Sequence, residues 1–287
     1  MAFVLHRYVL HNDEICEASS RLLSPGQVGL LSGWGVFSTL QVASGVPFAF
    51  ERHWARMLRD AAVFHVPMPA DSERVRRRLL DLIAANQAAH ATMRLVVVRN
   101  GGGLWAAPGL PEFDLLAMTA GARQWGEGVK LTYVKDARFA ACPFAGNKVL
   151  SWAMNLTWFE SAQRQGFDEA ILLNERGEVA ECTSANIFAA RGSEVWTPPL
   201  SSGCLPGVTR EVVLGETASS GIDVVERPIT PEELEASDEI FITSTTRDLL
   251  PVLEIDGRKM QRRGAARQAL QTAFSAYVRR YIAARGA

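Results

Sequence analysis

The stretch Gly121-Ala122-Arg123-Gln124-Trp125-Gly126 interrupts a chain that otherwise alternates short β-rich runs with amphipathic helices, and this break most constrains the fold. Its residues follow neither the period of a strand nor that of a helix, and glycine stands at both ends, so it reads as a connection. Upstream, Phe3 to Leu10 and Glu14 to Ala18 predict a hairpin turning at His11, Asn12 and Asp13. Val36 to Ala43 and Pro47 to Phe50 predict a second hairpin around Ser44-Gly45. Trp54, Met57, Leu58 and Ala61 have helical spacing within Glu51 to Phe64, and Asp71 or Ser72 caps a helix reaching about Gln87. Strands at Met93 to Val98 and Phe113 to Thr119 complete this half.

Beyond the break, a strand near Val129 to Val134 leads to a helix from Ser151 to Gln165, ended by Gly166. Short strands follow at Ala170 to Asn174, Ala185 to Ala190 and Val195 to Thr197, joined by turns at Glu175-Arg176-Gly177 and Arg191-Gly192-Ser193. Val208 to Ala218 reads as a helix, Ile222 to Glu226 and Glu239 to Thr243 as strands, and Ala265 to Ala284 as a long amphipathic helix. The expectation is an α/β (α+β) protein of two lobes. Residues 1–121 form a small N-terminal α/β lobe, 122–127 the connection, and 128–287 a larger, antiparallel-rich lobe.

Several partners are excluded by composition. Charged residues make up 21% of the chain with a formal net charge of -1 and no long single-sign run, which argues against nucleic acid. No apolar run approaches the roughly 20 residues a membrane helix needs. Met1 to Leu10 carries His6 and Arg7 and lacks the ordered regions of a signal peptide, so a cytoplasmic protein is expected. Cys16, Cys142, Cys182 and Cys204 are widely separated, and His6, His11, His53, His65 and His90 show no metal spacing, so no metal site is expected. Gly101-Gly102-Gly103 is not a dinucleotide fingerprint, because no helix opens there; a flexible active-site loop is the better reading.

Chemistry that needs a primary amine has only Lys130, Lys135, Lys148 and Lys259 to draw on. Lys148-Val149-Leu150-Ser151 stands in a particular order with other motifs. His53-Trp54-Ala55-Arg56 precedes it, and Asp168 to Asn174 runs on through Gly177 to Glu181-Cys182-Thr183-Ser184-Ala185-Asn186-Ile187-Phe188. Two loops suited to an anion come next: Leu205-Pro206-Gly207-Val208-Thr209-Arg210 at a helix start, and Thr243-Ser244-Thr245-Thr246 after a strand.

In this order, from about Ser32 to Ile255, the motifs resemble the class IV aminotransferase family, which includes branched-chain aminotransferases, D-amino-acid aminotransferases and aminodeoxychorismate lyases. The resemblance implies a pyridoxal 5'-phosphate enzyme of fold type IV, a pseudo-barrel for the larger lobe, and a homodimer. It implies that Lys148 holds the cofactor as an imine and moves the substrate proton. Val149, Leu150, Trp152, Ala153 and Met154 would desolvate that amine. Glu181 would face the pyridine nitrogen. Arg56, Gly207, Val208 and Thr209 would bind the phosphate, with Ser244 and Thr245 completing the cup. Ser184 and Asn186 would lie beside the ring.

Departures from the family pattern bear on the substrate. Ser32-Gly33-Trp34-Gly35-Val36 has an indole where many members carry an aspartate, and Phe37-Ser38-Thr39 together with Cys182 is lyase-like. The loop from Asn100 to Pro108 lacks the arginine and histidine of the D-amino-acid enzymes. Leu30, Trp34 and Ser38 are therefore candidates for the substrate pocket, and Arg99, Arg138 and Arg247 are carboxylate-binding candidates by position. The leading expectation is transamination between an amino acid and a 2-oxo acid. A lyase releasing pyruvate and 4-aminobenzoate is the alternative, and an inert binding protein on the same fold is the third.

Overall fold

The structure, a computed structural model, describes residues 4–103, 109, 111–261 and 264–286. Phe3 of the first hairpin and Leu104 to Pro108 of the glycine-rich loop lie outside the described residues. Two compact units emerge. The first comprises Met1–Arg123, Lys148–Trp152 and Arg280–Ala287, and the second comprises Gln124–Asn147 and Ala153–Arg279.

The first unit contains β1 (Leu5–His11), β2 (Glu14–Glu17), α1 (Val28–Ser32), β3 (Gly35–Ala43), β4 (Val46–Pro47), α2 (Phe50–Val63), α3 (Ser72–Ala85), β5 (Ala91–Arg99) and β6 (Phe113–Gly121). Its antiparallel sheet runs β2-β1-β6-β5-β3-β4. The β3–β4 turn places Ser44 at φ 49° and Gly45 at φ 78°, the pair of positive angles that a two-residue hairpin needs to match strand twist. Phe50 is the first residue of α2 and not the end of a strand, so β4 is shorter than the sequence suggests. Asp71 caps α3, its side chain accepting from Arg74 N–H at 2.9 Å.

Period two along β3 decides what each face meets. Val36, Leu40 and Val42 join Phe50, Trp54 and Met57 of α2 and Leu79 and Leu82 of α3 in the main core. Phe37, on the other face, packs with Val96, Val98, Leu116, Leu150 and Trp152. At the far end of the chain Tyr281 returns to this unit, its hydroxyl donating to Glu51 at 2.6 Å and its ring meeting Phe48 edge-on at 5.2 Å.

The second unit contains β7 (Val129–Arg138), α4 (Ala153–Arg164), β8 (Glu169–Asn174), β9 (Val179–Cys182), β10 (Asn186–Arg191), β11 (Glu194–Thr197), α5 (Val208–Glu216), β12 (Asp223–Glu226), α6 (Pro231–Glu235), β13 (Glu239–Ser244), β14 (Asp248–Ile255) and β15 (Arg258–Lys259). Its long helix α7 (Ala266–Ala283) reaches into the C-terminal segment. The sheet order is β12-β11-β10-β13-β14-β7-β8-β9, with β15 on β14.

Connectivity requires that sheet to curl. A flat sheet would hold β10 and β9 five strand spacings apart, about 24 Å. The chain from Cys182 to Asn186, with only Thr183, Ser184 and Ala185 between the strands, reaches at most about 14 Å. The two strands therefore approach one another around a bent sheet, whose interior holds Val129, Leu131, Ile171, Ile187, Ile240, Ile242 and Val252. Among the described residues no helix is long and apolar enough to cross a membrane.

Candidate active site

In the first unit the decisive local feature is a buried polar stripe. His53, Arg56 and Asp60 recur at i, i+3 and i+7 along α2, so they share a face, and each is at most 8% exposed. Ser38, on the helix-facing side of β3, is fully buried against them. Arg56 Nη2 donates to Ser38 Oγ at 2.7 Å, and Ser38 Oγ lies 2.7 Å from His53 Nδ1. A guanidinium can only donate, so Ser38 Oγ accepts from Arg56 and has a second lone pair and its own proton with which to meet His53 Nδ1. Burial, and then the charges of Arg56 and Lys148, hold the His53 pKa well below its ordinary 6.5.

Lys148 is fixed by main-chain bonds to this unit. Its carbonyl accepts from Phe37 N–H at 3.2 Å and Leu150 N–H donates to Gly35 O at 2.9 Å, so the segment lines the edge of β3. Its own N–H donates to Asp60 Oδ2 at 3.0 Å. The amine lies 4.6 Å from the Phe37 ring centroid and 5.4 Å from that of Trp152. Val149, Leu150 and Trp152 are half-buried, as a desolvating wall requires, but Ala153 and Met154 are exposed. These two start α4, which begins two residues later than the sequence suggests because Ser151 is held by its hydroxyl on Ser32 O and Gly33 O, 3.1 and 3.0 Å away.

Arg94 is a residue the sequence reading missed. It pairs with Thr39 across β5 and β3, and its Cζ lies 4.7 Å from the Phe37 centroid, so one aromatic ring carries two cations, Arg94 and Lys148. Its side chain is exposed to solvent. The signal was available: Met93, Leu95 and Val97 face the core, and alternation turns Arg94 to the face of Phe37. Arg99 is engaged differently, its guanidinium 4.1 Å above the Trp34 ring and donating to Gly101 O and His65 O, both at 2.7 Å. Trp34 Nε1 donates to Phe64 O at 2.7 Å, and Leu30 on α1 is 48% exposed.

In the second unit Glu181 stands on β9, 8% exposed. One carboxylate oxygen accepts from Arg138 Nε at 3.0 Å and the other from Leu205 N–H at 3.0 Å. Arg138 thus lies on Glu181, with a further contact of 3.4 Å to Asn155 Oδ1. Asn186 donates to Leu205 O at 2.8 Å and so holds the turn that launches α5. A Cβ at Gly207 would come within 2.1 Å of Asn186 Oδ1, so any larger residue requires the Asn186 side chain to shift. Val208 and Thr209 are buried at the start of α5, whose N-terminus carries no side-chain cap. Ser244 and Thr245 are half-buried at the end of β13, with Ser244 Oγ 3.5 Å from Thr246 Oγ1. Ser184 and Arg247 meet: Arg247 Nη1 donates to Ser184 Oγ at 2.9 Å, and Nη2 to Glu169 Oε2 at 2.8 Å.

The family model for amino-transferase class IV matches residues 35–255. The chain belongs to this family. A Methanocaldococcus jannaschii protein provisionally named a branched-chain-amino-acid aminotransferase is 33% identical over 80% of this chain and 81% of its own length. The D-alanine aminotransferase of Bacillus licheniformis is 29% identical over 87% of this chain and 89% of its own. The crystal structure of a branched-chain aminotransferase from Thermoproteus uzoniensis superposes with a TM-score of 0.87 at 26% identity, covering 97% of this chain and 98% of that one. The resemblance read from the ordered motifs is borne out, as are the fold class and the aminotransferase expectation.

The family works with pyridoxal phosphate, and the residues present fit that group. An aldehyde needs an amine such as Lys148, a pyridine nitrogen needs a carboxylate such as Glu181, and a phosphate needs donors at an open helix N-terminus. The uncapped start of α5, with a glycine where a Cβ would press on Asn186, is such a terminus. The features that suggested a lyase have other duties: Ser38 is enclosed between His53 and Arg56, and burial pushes the Cys182 thiol far up, which keeps it unreactive.

Proposed function

We propose that the protein is a pyridoxal-phosphate aminotransferase that uses Lys148 to pass an amino group between an amino acid of branched-chain or D-amino-acid type and a 2-oxo acid. The observation that carries the reading is the fixed Lys148, its backbone bonded to Phe37, Gly35 through Leu150, and Asp60, with its amine against Phe37 and Trp152. When bound, pyridoxal phosphate supplies an aldehyde for that amine and a protonated ring that draws electron density from the substrate α-carbon.

The chain's own residues do the rest. Lys148 Nζ would take the proton from the substrate α-carbon and deliver it to the cofactor carbon that carries the amino group. Glu181, oriented by Arg138 and Leu205 N–H, would hold the proton at the ring nitrogen. Arg56 of the first unit and Gly207, Val208, Thr209, Ser244 and Thr245 of the second would hold the phosphate, and Ser184 and Asn186 would hold the ring. Arg94, exposed on the face of Phe37 that also meets Lys148, receives the substrate carboxylate.

The test begins with the absorbance of the purified holoenzyme before and after borohydride reduction, with the modified peptide identified by mass. The label is expected on Lys148, and absent in Lys148→Ala. Amino donors added singly should then bleach the absorbance and release a 2-oxo acid. Glu181→Gln should retain cofactor and lose about 10²–10⁴ in kcat, the range for a positioned proton-transfer group. A label on Lys130, Lys135 or Lys259, or no bleaching by any donor, refutes the reading.

A further inference from the structure

Arg247 was a candidate for the substrate carboxylate, but its guanidinium is committed elsewhere. It follows the turn Ser244-Thr245-Thr246, closed by Arg247 N–H on Ser244 O at 3.1 Å. One arm donates to Ser184 Oγ at 2.9 Å and to Ser184 O at 3.3 Å. The other donates to Glu169 Oε2 at 2.8 Å, which also accepts from Ser184 Oγ at 2.7 Å. Trp125 covers the group, its ring centroid 4.2 Å from Cζ. The ionic side chains are 5% and 1% exposed, so solvent is excluded.

We infer that Arg247 is a positioning residue, which with Glu169 ties the Thr183–Ala185 turn to the Ser244–Thr246 turn so that both present their polar groups to one cofactor in a fixed geometry. The inference rests on the function proposed above. Both turns belong to the second unit and lie just past the end of the β10–β13 ladder, whose last pair is Asn186 with Thr243, so the Arg247 contact carries the tie beyond that pairing. Glu181 and Asn186 flank the first turn on β9 and β10, and Ser244 and Thr245 form the second. A guanidinium suits this task because its planar fork bonds two partners at a set angle, which a lysine ammonium cannot do. The charge of Glu169 offsets that of Arg247; burial alone raises the Glu169 pKa, and Arg247 and Ser184 act against that rise. Removing Arg247 alone would strand a buried carboxylate, so the informative variant removes both charges.

The experiment strips cofactor from wild type and from Arg247→Met/Glu169→Gln, then titrates pyridoxal phosphate by absorbance, alongside the melting temperature of each apo-protein and KM for the amino donor at saturating cofactor. The inference expects an apo melting temperature near wild type, a cofactor Kd raised about tenfold, and KM within about twofold of wild type. Arg247→Lys keeps the charge opposite Glu169 and carries the same test if the double variant does not fold; its Kd should fall between the other two. An unchanged Kd overturns the inference. So does a rise in KM at unchanged Kd, which would make Arg247 a substrate-binding group. If wild type itself takes up no pyridoxal phosphate, the proposed function has failed and the inference falls with it.

Discussion

Asp248 closes the turn that follows β13, at φ 49°, and burial pushes its carboxyl up from the ordinary 3.8 to about 6. Between those values the folded chain binds the proton more tightly than the unfolded one. Stability therefore falls as pH rises through this window, and above it the deficit is complete, at up to about 3 kcal/mol. Asp248→Asn keeps the shape and tolerates the positive φ. It should raise the unfolding free energy at about pH 7.5 by up to that amount and flatten the slope between about pH 4 and 6, as urea melts at several pH values would reveal. Equal slopes in both chains would contradict this account. His53 has the opposite sign: with its folded pKa well below 6.5, its contribution is complete above 6.5 and is lost as pH falls, so acid lability should persist in Asp248→Asn. Arg94 makes a different kind of prediction. If it receives the substrate carboxylate, Arg94→Leu removes a charge-assisted bond of about 1.5–3 kcal/mol and should raise KM roughly 10- to 100-fold with less effect on kcat. Steady-state kinetics with saturating cofactor decide; an unaltered KM removes Arg94 from the substrate site.

At the scale of elements, α5 and the turn before it depend on one absent methyl group. A Cβ at Gly207 has Asn186 Oδ1 2.1 Å away, and Asn186 is itself bonded to Leu205 O. Gly207→Ala should push Asn186 off that carbonyl and open the turn, lowering stability by about 1–3 kcal/mol and weakening cofactor uptake. Calorimetry and cofactor titration on the same sample would test it, and wild-type values for both would show that the turn absorbs the methyl without cost. The same elements show what was legible beforehand. Helix α3 was readable, its cap narrowed to Asp71 or Ser72, because capping chemistry is local, and α7 because its apolar positions recur over 18 residues. Strand β9 was not, since four residues carry too little alternation to announce themselves. Its pairing to β8 is what buries Glu181. Strand β14 was masked by Pro251, which lacks a donor and argues against a central strand; in the fold β14 takes up its pairing with β7 only from Val252.

For the molecule as a whole, the sequence revealed the family to which the ordered motifs belong better than it revealed which unit each segment joins. The order of motifs named Lys148, yet nothing in Lys148 to Trp152 announced that the segment joins the first unit, because the bonds that attach it to β3 are made by main-chain atoms that any residue supplies. Association is the remaining property at this scale. In the first unit Leu30 and Leu31 are 48% and 66% exposed; in the second, Phe139, Phe144, Met154 and Leu156 are 63%, 55%, 65% and 49% exposed. Each such side chain, already about half covered, gains roughly 1–2 kcal/mol when the remaining water is removed from it, which is a driving force for pairing of two chains. A homodimer is therefore expected. Sedimentation or light scattering should give a particle of two chains, and Phe139→Asp combined with Met154→Glu should shift it toward one chain on dilution, because both charges would have to leave water for the dimer to form. A single-chain particle for wild type at every concentration would rule out the dimer, whereas a two-chain particle unmoved by these substitutions would mean that other surfaces hold it together.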